Sequence, residues 1–524
     1  MDIDQIRELL TDAGTYPHEC DEIQMVETHI SLVFLTGDFA YKVKKPVDFG
    51  FLDFSTLEKR RHYCELELSR NRVFAPDLYE KVMGLHVTEH GAELKDLLEG
   101  AQEYVVCMHQ FPQSALLSLK VAAGDFSVEE AAELGRQLAR LHAGLEQAET
   151  GDARGTPAAI SYPVKENFSQ ISECLDDDSQ KQRLDAIRSW SLDRLEAHHE
   201  DFVQRKKRGR IRACHGDLHL NNILWMDKRA VPFDCIEFND EFRWIDVISE
   251  LAFLLMDLEH GHQQELASHC LNGYLEVSGD FEGVELLRFY KVYRAMVRAK
   301  VAMLRMQQDH LDADELQALE KEYDSYVTLA EHDIRPEPVC LYITHGVSGS
   351  GKTTMARYVA GRLGAVHVRS DVERKRLFHL APDASSDSLL NAGIYSAEAS
   401  ARTYHRLEEV AEAMISAGYP VIVDATFLSK NTRQRFFELG KRMQSPFAIL
   451  DCAIDEQTAR NRVQARMENG GDASEADLKV LEQQLGNQDF LSPQEQRYVV
   501  VIDMGKPLED IDLEQLIRCE CIAD

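Results

Sequence analysis

Hydrophobic and polar positions change rhythm several times along the 524 residues, and those changes divide the chain before any motif is considered. Near the N-terminus, β-forming residues at 31–35 and 39–43 flank Thr36-Gly37-Asp38, which predicts a hairpin. Helical spacing follows over 56–72, then Pro76, then strand-like runs at 78–87 and 103–108. These elements predict a small α+β lobe. From 128 to 145 the period turns helical, and long amphipathic segments recur at 181–206, 244–260, 263–277 and 285–306. Two short strand-like pieces, 210–214 and 230–236, lie between them, so the larger lobe is expected to be mainly helical with its chemistry on a central loop.

Residues 307–338 are highly charged and close on Arg335-Pro336-Glu337-Pro338. Neither proline favours a continuing helix, so this stretch reads as an inter-domain connection. Beyond it, apolar runs at 339–343, 366–368, 421–423, 448–452 and 498–502 alternate with helical segments. Such alternation marks a parallel sheet with helices on both faces. The expected fold class is therefore mixed, α+β and then α/β. A first domain takes 1–335, with a small lobe about 1–108, a large lobe about 113–306 and a connecting segment 307–335, and a second takes 336–524.

Composition narrows the partners. A formal charge of −32 works against general affinity for polyanions, which disfavours nucleic acid as a substrate. The 11 cysteines include no C-x-x-C pair, and only Cys519 and Cys521 stand close, which fits reduced thiols better than a disulfide framework or a zinc site. Met1-Asp2-Ile3-Asp4-Gln5 lacks the basic-then-apolar order of a signal peptide, and no apolar run approaches membrane-spanning length. A cytoplasmic protein with no membrane partner is expected, and its oligomeric state is left open.

Candidate chemistry appears twice. Gly346-Val347-Ser348-Gly349-Ser350-Gly351-Lys352-Thr353 fits G-x-x-x-x-G-K-[ST] between an apolar run and a helical pattern starting near Thr354. Its glycines let consecutive N–H groups face a polyphosphate, Lys352 adds positive charge toward the β and γ groups, and Thr353 offers a hydroxyl to Mg²⁺. Asp424 ends an apolar strand and is placed to hold the metal or its water. Asp371 can accept the proton of an acceptor hydroxyl while Arg374 and Lys375 bind an anionic group; an N-capping aspartate before a solvated basic face is an equal alternative. Arg460, Arg462 and Arg466 lie on one helix, and Arg462 with Arg466 share a face, as a lid over a triphosphate requires. Solvent-facing arginines would show the same spacing.

Upstream, His215-Gly216-Asp217-Leu218-His219-Leu220-Asn221-Asn222 puts a carboxylate and a carboxamide on one tight loop. Asp217 can orient or deprotonate the acceptor hydroxyl, Asn222 can reach a metal on the phosphates, and Asp234, closing the next strand, is a natural second Mg²⁺ ligand. Ala40-Tyr41-Lys42 matches the A-x-K of a kinase strand, with Glu67 placed to pair with the lysine. Lys44 shares the face of Lys42, and Glu65 competes with Glu67, so both assignments stay open.

The C-terminal half, about 339–511, resembles the small P-loop kinases of the gluconate kinase, polynucleotide kinase and zeta toxin group. The likeness rests on G-V-S-G-S-G-K-T, R-S-D-V-E-R-K, V-I-V-D-A-T-F, Arg433, and the arginine-rich segment before Gly470 and Ser474 to Asp477. It implies Asp371 at the acceptor hydroxyl, Asp424 at the metal and Arg433 at the substrate. Residues 30–306 resemble the aminoglycoside phosphotransferase branch of the protein-kinase-like fold, chiefly through H-G-D-L-H-L-N-N-I-L. That resemblance implies a hinge at 108–112 meeting adenine and Asp246 supporting the catalytic loop. No G-x-G-x-x-G precedes Lys42, and Cys235-Ile236 follow Asp234 where a regulated protein kinase has Phe-Gly. The expected activity is a bifunctional kinase using ATP and Mg²⁺ on hydroxyls of small molecules, sugar-like ones included. Two alternatives stand beside it: a nucleic-acid end kinase in the C-terminal half, and a nucleotide-sensing regulator with a non-catalytic N-terminal lobe.

Overall fold

The computed structural model describes residues 1–28, 30–48, 52–89, 91–307, 311–335, 339–381, 384, 393–469 and 476–517. Pro336, Glu337 and Pro338 of the expected connector, Gly470, Ser474 and Glu475 of the resemblance, and Cys519 and Cys521 lie outside the described residues.

Helix α1 (Ile3–Leu10) starts from a capping box in which Asp2 accepts from the Gln5 N–H and the Gln5 side chain returns to Asp2. Strands β1 (Gln24–Glu27), β2 (Ser31–Leu35) and β3 (Phe39–Lys44) lead to α2 (Leu57–Asn71), which is N-capped by Thr56, and then to β4 (Tyr79–Thr88), β5 (Gly91–Lys95) and β6 (Glu103–His109). They form one antiparallel sheet in the order β1-β2-β3-β6-β4-β5. Alternation sends Leu32, Phe34, Tyr41 and Val43 to the face covered by Ile6 and Leu10 of α1. Ala40, Val82, Tyr104 and Val106 go to the other face, under Cys64 of α2.

The chain continues through α3 (Leu117–Ala123), α4 (Val128–Gly144), α5 (Pro157–Glu173), α6 (Asp178–Ala197) and α7 (His199–Lys207). The single helix expected over 181–206 is thus two, parted at His198. Two antiparallel pairs follow, with β7 (Ile211–Ala213) against β10 (Trp244–Asp246) and, between them in the chain, the hairpin of β8 (Ile223–Met226) and β9 (Arg229–Pro232). Then come α8 (Val247–His260), α9 (Gln264–Ser278), α10 (Phe281–Met306) and α11 (Ala313–Asp333). Helix α11 occupies most of the charged connecting segment. Asp312 and Glu315 form its capping box, and it buries Leu319, Tyr323, Tyr326, Val327 and Ala330, one stripe at helical spacing, beneath a charged outer face.

The C-terminal elements are β11 (Leu341–His345), α12 (Lys352–Leu363), β12 (Val366–Arg369), α13 (Ser370–Leu377), α14 (Ala397–Ser416), β13 (Val421–Asp424), α15 (Lys430–Arg442), β14 (Phe447–Ala453), α16 (Glu456–Asn469), α17 (Leu478–Asn487), β15 (Val499–Asp503) and α18 (Leu513–Ile517). The five strands form an all-parallel sheet in the order β12-β13-β11-β14-β15. Because the chain steps from β11 outward in both directions, the crevice at the carboxyl ends falls beside β11, where open α/β sheets place their ligands.

Packing does not divide the chain at residue 335. One compact unit comprises Met1–Phe126, Leu145–Pro163 and His199–Leu254; the other comprises Ser127–Gly144, Val164–His198 and Leu255–Asp524. In the second, α4 and α9 approach until their backbones touch. A Cβ on Gly135 would lie 1.9 Å from the Cys270 carbonyl, and one on Gly273 2.0 Å from the Ala132 carbonyl.

Candidate active sites

The first site lies on the loop between β7 and β8. Gly216 turns it with φ 90°, and a Cβ there would meet the Phe242 carbonyl at 2.7 Å. The loop is held from both sides. Gly216 N–H donates to Glu250 Oε1 at 2.7 Å, His215 Nε2 meets the Phe233 carbonyl at 2.8 Å, and Ile236 N–H donates to the His215 carbonyl at 3.1 Å. Burial lowers the His215 pKa, which favours the neutral ring. Asn222 Nδ2 donates to the Asp217 carboxylate and to its carbonyl, each at 3.0 Å, so the two residues form one unit.

Lys42 ion-pairs with Glu67 at 2.9 Å and with Asp234. Burial opposes its charge, yet the Asp234 and Glu67 carboxylates raise its pKa well above the ordinary value. Lys44 is 1 % exposed and pairs with Glu67 at 2.6 Å and with Glu237, with its ammonium 4.7 Å from the Phe54 ring centre. Of the two lysines, Lys42 therefore reaches Asp234, and Lys44 braces the same loop from Glu237. Glu67 is fully buried between them, whereas Glu65 pairs with Arg61 at the surface. Burial pushes the Glu67 carboxyl up, but the two ammonium groups outweigh it and hold the pKa at about 2.

Helix α2 also grips the backbone of the Asp234 loop. Asn71 Oδ1 accepts from Cys235 N–H at 2.9 Å, and Arg70 Nη1 donates to the Glu237 carbonyl at 2.5 Å. Asp234 takes a left-handed φ of 62°, its N–H held by the Tyr79 hydroxyl at 3.1 Å. Asp246, expected to support the catalytic loop, pairs instead with Arg205 at 2.5 and 2.7 Å and caps Ile248 N–H at 3.0 Å; Glu250 does the holding. Glu237, Tyr79 and Glu250 were absent from the sequence reading. Of the three, only Glu237, three residues after Asp234, stands close enough to a motif residue for spacing to have pointed to it. In the segment expected to be the hinge, the Gln110 side chain accepts from Gly37 N–H at 3.1 Å and its backbone N–H donates to the Asp38 carbonyl at 2.8 Å, which ties the hairpin turn to 108–112.

The second site is the crevice beside β11. Gly346, Gly349 and Gly351 adopt φ of 141°, 81° and 92°, and a Cβ on Gly351 would strike Met504 Cε at 2.7 Å. Ser348, Gly349, Gly351, Lys352, Thr353, Thr354, Asp371, Arg374, Asp424, Arg462 and Arg466 line one cleft of about 540 Å³. Lys352 Nζ donates to the Val347 carbonyl at 2.7 Å, and burial lowers its pKa against the pull of Asp424. Ser350 is buried, and its hydroxyl has no partner among the described residues. Asp424, side by side with Arg369 in the sheet register, accepts from His367 Nε2 at 3.2 Å. Burial would raise its carboxyl, but His367, Arg369 and Lys352 hold it at about 2.

The arginines part company. Arg462 leans over the turn, donating to the Met504 carbonyl at 3.1 Å, and Arg466 donates to the Ala476 carbonyl at 2.8 Å. Arg460 pairs with Glu456 and Glu482 at the surface. Arg374 is buried in the cleft wall, with Nη1 on the Ile394 carbonyl at 2.9 Å and on Ser400 Oγ at 3.1 Å. Arg433, expected at the substrate, does not line this cleft. It is 1 % exposed, pairs with Glu495 at 2.7 Å and donates to the carbonyls of Phe427, Leu428, Asp489 and Phe490. Five acceptors inside the protein occupy its guanidinium, so it fastens the 489–495 loop to α15.

A nucleotide with its metal suits both places. Mg²⁺ on phosphates needs one or two carboxylates with waters, and no cage of three or more His, Cys, Asp or Glu side chains exists among the described residues. The partnerless Ser350 hydroxyl and the ionised Asp424 fit an anion beside a cation.

Residues 120–287 match the phosphotransferase enzyme family, and residues 341–491 match a family described as an AAA domain. The uncharacterized protein Rv2004c of Mycobacterium tuberculosis strain H37Rv is 30% identical over 462 residues, which span 86% of this chain and 88% of that protein. Among solved structures, amicoumacin kinase hAmiN in complex with AMP-PNP, Ca²⁺ and Ami is 16% identical, covering 64% of this chain and 96% of that one with a TM-score of 0.40. A gluconokinase from Sinorhizobium meliloti 1021 is 19% identical over 35% of this chain and 95% of its own, with a TM-score of 0.24. Both segments are kinase-like, the first of the phosphotransferase family and the second of the P-loop type, which indicates a nucleotide-using phosphotransferase. Among the described residues, no helix is long and apolar enough to cross a membrane.

Proposed function

Starting from a chain that belongs to the family of Rv2004c of M. tuberculosis, we propose a bifunctional ATP- and Mg²⁺-dependent kinase whose two sites each phosphorylate a hydroxyl of a small molecule, sugar-like acceptors included. The observation that carries this reading is the duplication itself. Asp217, Asn222, Asp234 and Lys42 gather in one compact unit, and Lys352, Thr353, Asp424 and Asp371 gather in the other.

In the first site Lys42 would leave Asp234 for the α and β phosphates, with Glu67 keeping the ammonium in place, while Asp234 and Asn222 hold Mg²⁺. Asp217 orients the acceptor hydroxyl and takes its proton. In the second, the N–H groups from Gly346 to Thr354 and Lys352 bind the phosphates, and Thr353 with Asp424 hold Mg²⁺. Asp371 receives the acceptor proton, Arg374 faces an anionic group of the acceptor, and Arg462 and Arg466 meet the charge that develops on transfer. The metal, when bound, would neutralise negative charge on the β and γ phosphates. The formal charge of −32 favours small acceptors over nucleic-acid ends.

The test is to incubate the full chain with ATP, Mg²⁺ and a metabolite extract and to follow phosphorylated products by mass. Asp217→Asn is expected to remove one product set and Lys352→Ala another. Products indifferent to Asp217→Asn would leave the N-terminal lobe a sensor, and RNA or DNA ends labelled in a Lys352-dependent way would replace the small-molecule reading of the C-terminal half.

A further inference from the structure

Strand β12 is the outer strand of the parallel sheet, and an outer strand presents unpaired N–H and C=O groups. Here α9 covers that edge with a single stripe of its side chains. Asn272 accepts from His367 N–H at 2.8 Å and donates to the Ala365 carbonyl at 2.9 Å, so one carboxamide replaces the strand neighbour that β12 lacks. One turn before it, Ser268 Oγ donates to the Ala360 carbonyl of α12 at 3.0 Å. One turn after it, Glu276 pairs with Arg369 at 2.6 Å and with Arg136 of α4 at 3.3 Å. Residues 268, 272 and 276 share one helix face. From the other side Arg376 of α13 donates to the Leu275 and Glu276 carbonyls at 3.2 and 2.7 Å, a cation at the carboxyl end of α9. The approach is close, since a Cβ on Gly361 would lie 2.4 Å from His269 Nε2.

What β12 carries gives this seam its meaning. The side chains of His367 and Asp424 are each 5% exposed, and the imidazole donates to one carboxylate oxygen of Asp424. The same strand runs into Ser370 and Asp371 at the start of α13. A shift of β12 therefore moves the group that orients Asp424 and the backbone that positions Asp371 together. Helix α9 belongs to the segment matched by the phosphotransferase family, outside the 341–491 segment that contains Lys352 and Asp424.

We infer that Asn272 and Glu276 of α9, acting through β12, and His367 on that strand are positioning residues of the P-loop site that set the orientation of Asp424 for its metal. The inference rests on the reading of the P-loop half as a Mg²⁺-dependent kinase. Hydrogen-bond partners of a metal ligand typically govern 10- to 100-fold in metal affinity, which sets the expected scale.

The experiment uses the full chain carrying Lys42→Met, so that the P-loop site alone is read, and titrates Mg²⁺ at fixed non-hydrolysable ATP analogue. Asn272→Ala, Glu276→Gln and His367→Ala are each expected to raise the Mg²⁺ concentration for half-maximal analogue binding about tenfold or more. His367→Gln, which keeps an N–H donor, should recover most of that loss, and the Mg²⁺-independent part of binding should stay as in the parent. Hydrogen exchange over residues 366–369 should quicken in Asn272→Ala. Should that exchange quicken while the Mg²⁺ requirement stays at the parent value, α9 is only a structural cover and the inference is wrong. Should Asn272→Ala not fold, Glu276→Gln decides alone by the same readout. A parent whose analogue binding ignores Lys352→Ala would instead remove the kinase reading of this half, and the inference with it.

Discussion

Lys42 and Lys44 stand two residues apart on β3 and share Glu67, but only Lys42 reaches Asp234. Lys42→Met is expected to abolish nucleotide binding at the first site while leaving the fold intact. Lys44→Met strands Glu237 in a buried place, while Glu67 keeps Lys42, and should cost about 3–5 kcal/mol of stability in urea unfolding. The reverse pattern would exchange their roles. Strand periodicity puts both lysines on one face and stops there, because what separates them, Glu237, arrives from a loop almost two hundred residues away. Arg433 illustrates the same limit, since its substrate role came from a motif and its partners came from the fold. Burial pushes the Glu495 carboxyl up, but Arg433 and Ser492 hold it at about 2, below its ordinary 4.5. A depressed carboxyl contributes stability above pH 4.5 and loses it as pH falls from there toward 2, on the order of 2 kcal/mol. Glu495→Gln should flatten acid unfolding in that window, and Arg433→Met should destabilise the chain without changing analogue affinity at the P-loop. Unchanged stability with weaker acceptor binding would restore Arg433 to the substrate.

Elements with one dominant period were legible. The hairpin at β2 and β3, helix α2 and the five parallel strands all fall where alternation or helical spacing put them. The sequence shows α11 only as a charged connection, because its charged outer face outweighs a narrow buried stripe when composition is read over a window. The packing of α4 on α9 was invisible for another reason. Gly135 and Gly273 look like helix-weakening residues in sequence, and only the facing carbonyls of Cys270 and Ala132 explain them. Gly135→Ala would drive a methyl into the Cys270 carbonyl and is expected to cost at least about 2 kcal/mol, read as a lower urea midpoint at unchanged slope. A midpoint equal to the parent's would mean that the two helices are not in contact at that glycine. Helix α2 is likewise more than a carrier of Glu67. Through Asn71 and Arg70 it holds the backbone of the Asp234 loop, so the lysine, its carboxylate partner and that loop form one assembled block.

Across the whole molecule, two kinase-like segments of unrelated architecture share one acidic chain, and both were legible because each carries a short contiguous motif. The acceptor pockets were not, since side chains distant in sequence shape them. A bifunctional kinase requires that both sites grip a nucleotide. The most direct measurement is an equilibrium titration of the full chain with a non-hydrolysable ATP analogue and Mg²⁺, repeated with Lys42→Met and with Lys352→Ala. Two equivalents bound by the parent and one by each variant is the predicted result. A single equivalent in the parent, or two equivalents that survive either substitution, would contradict it.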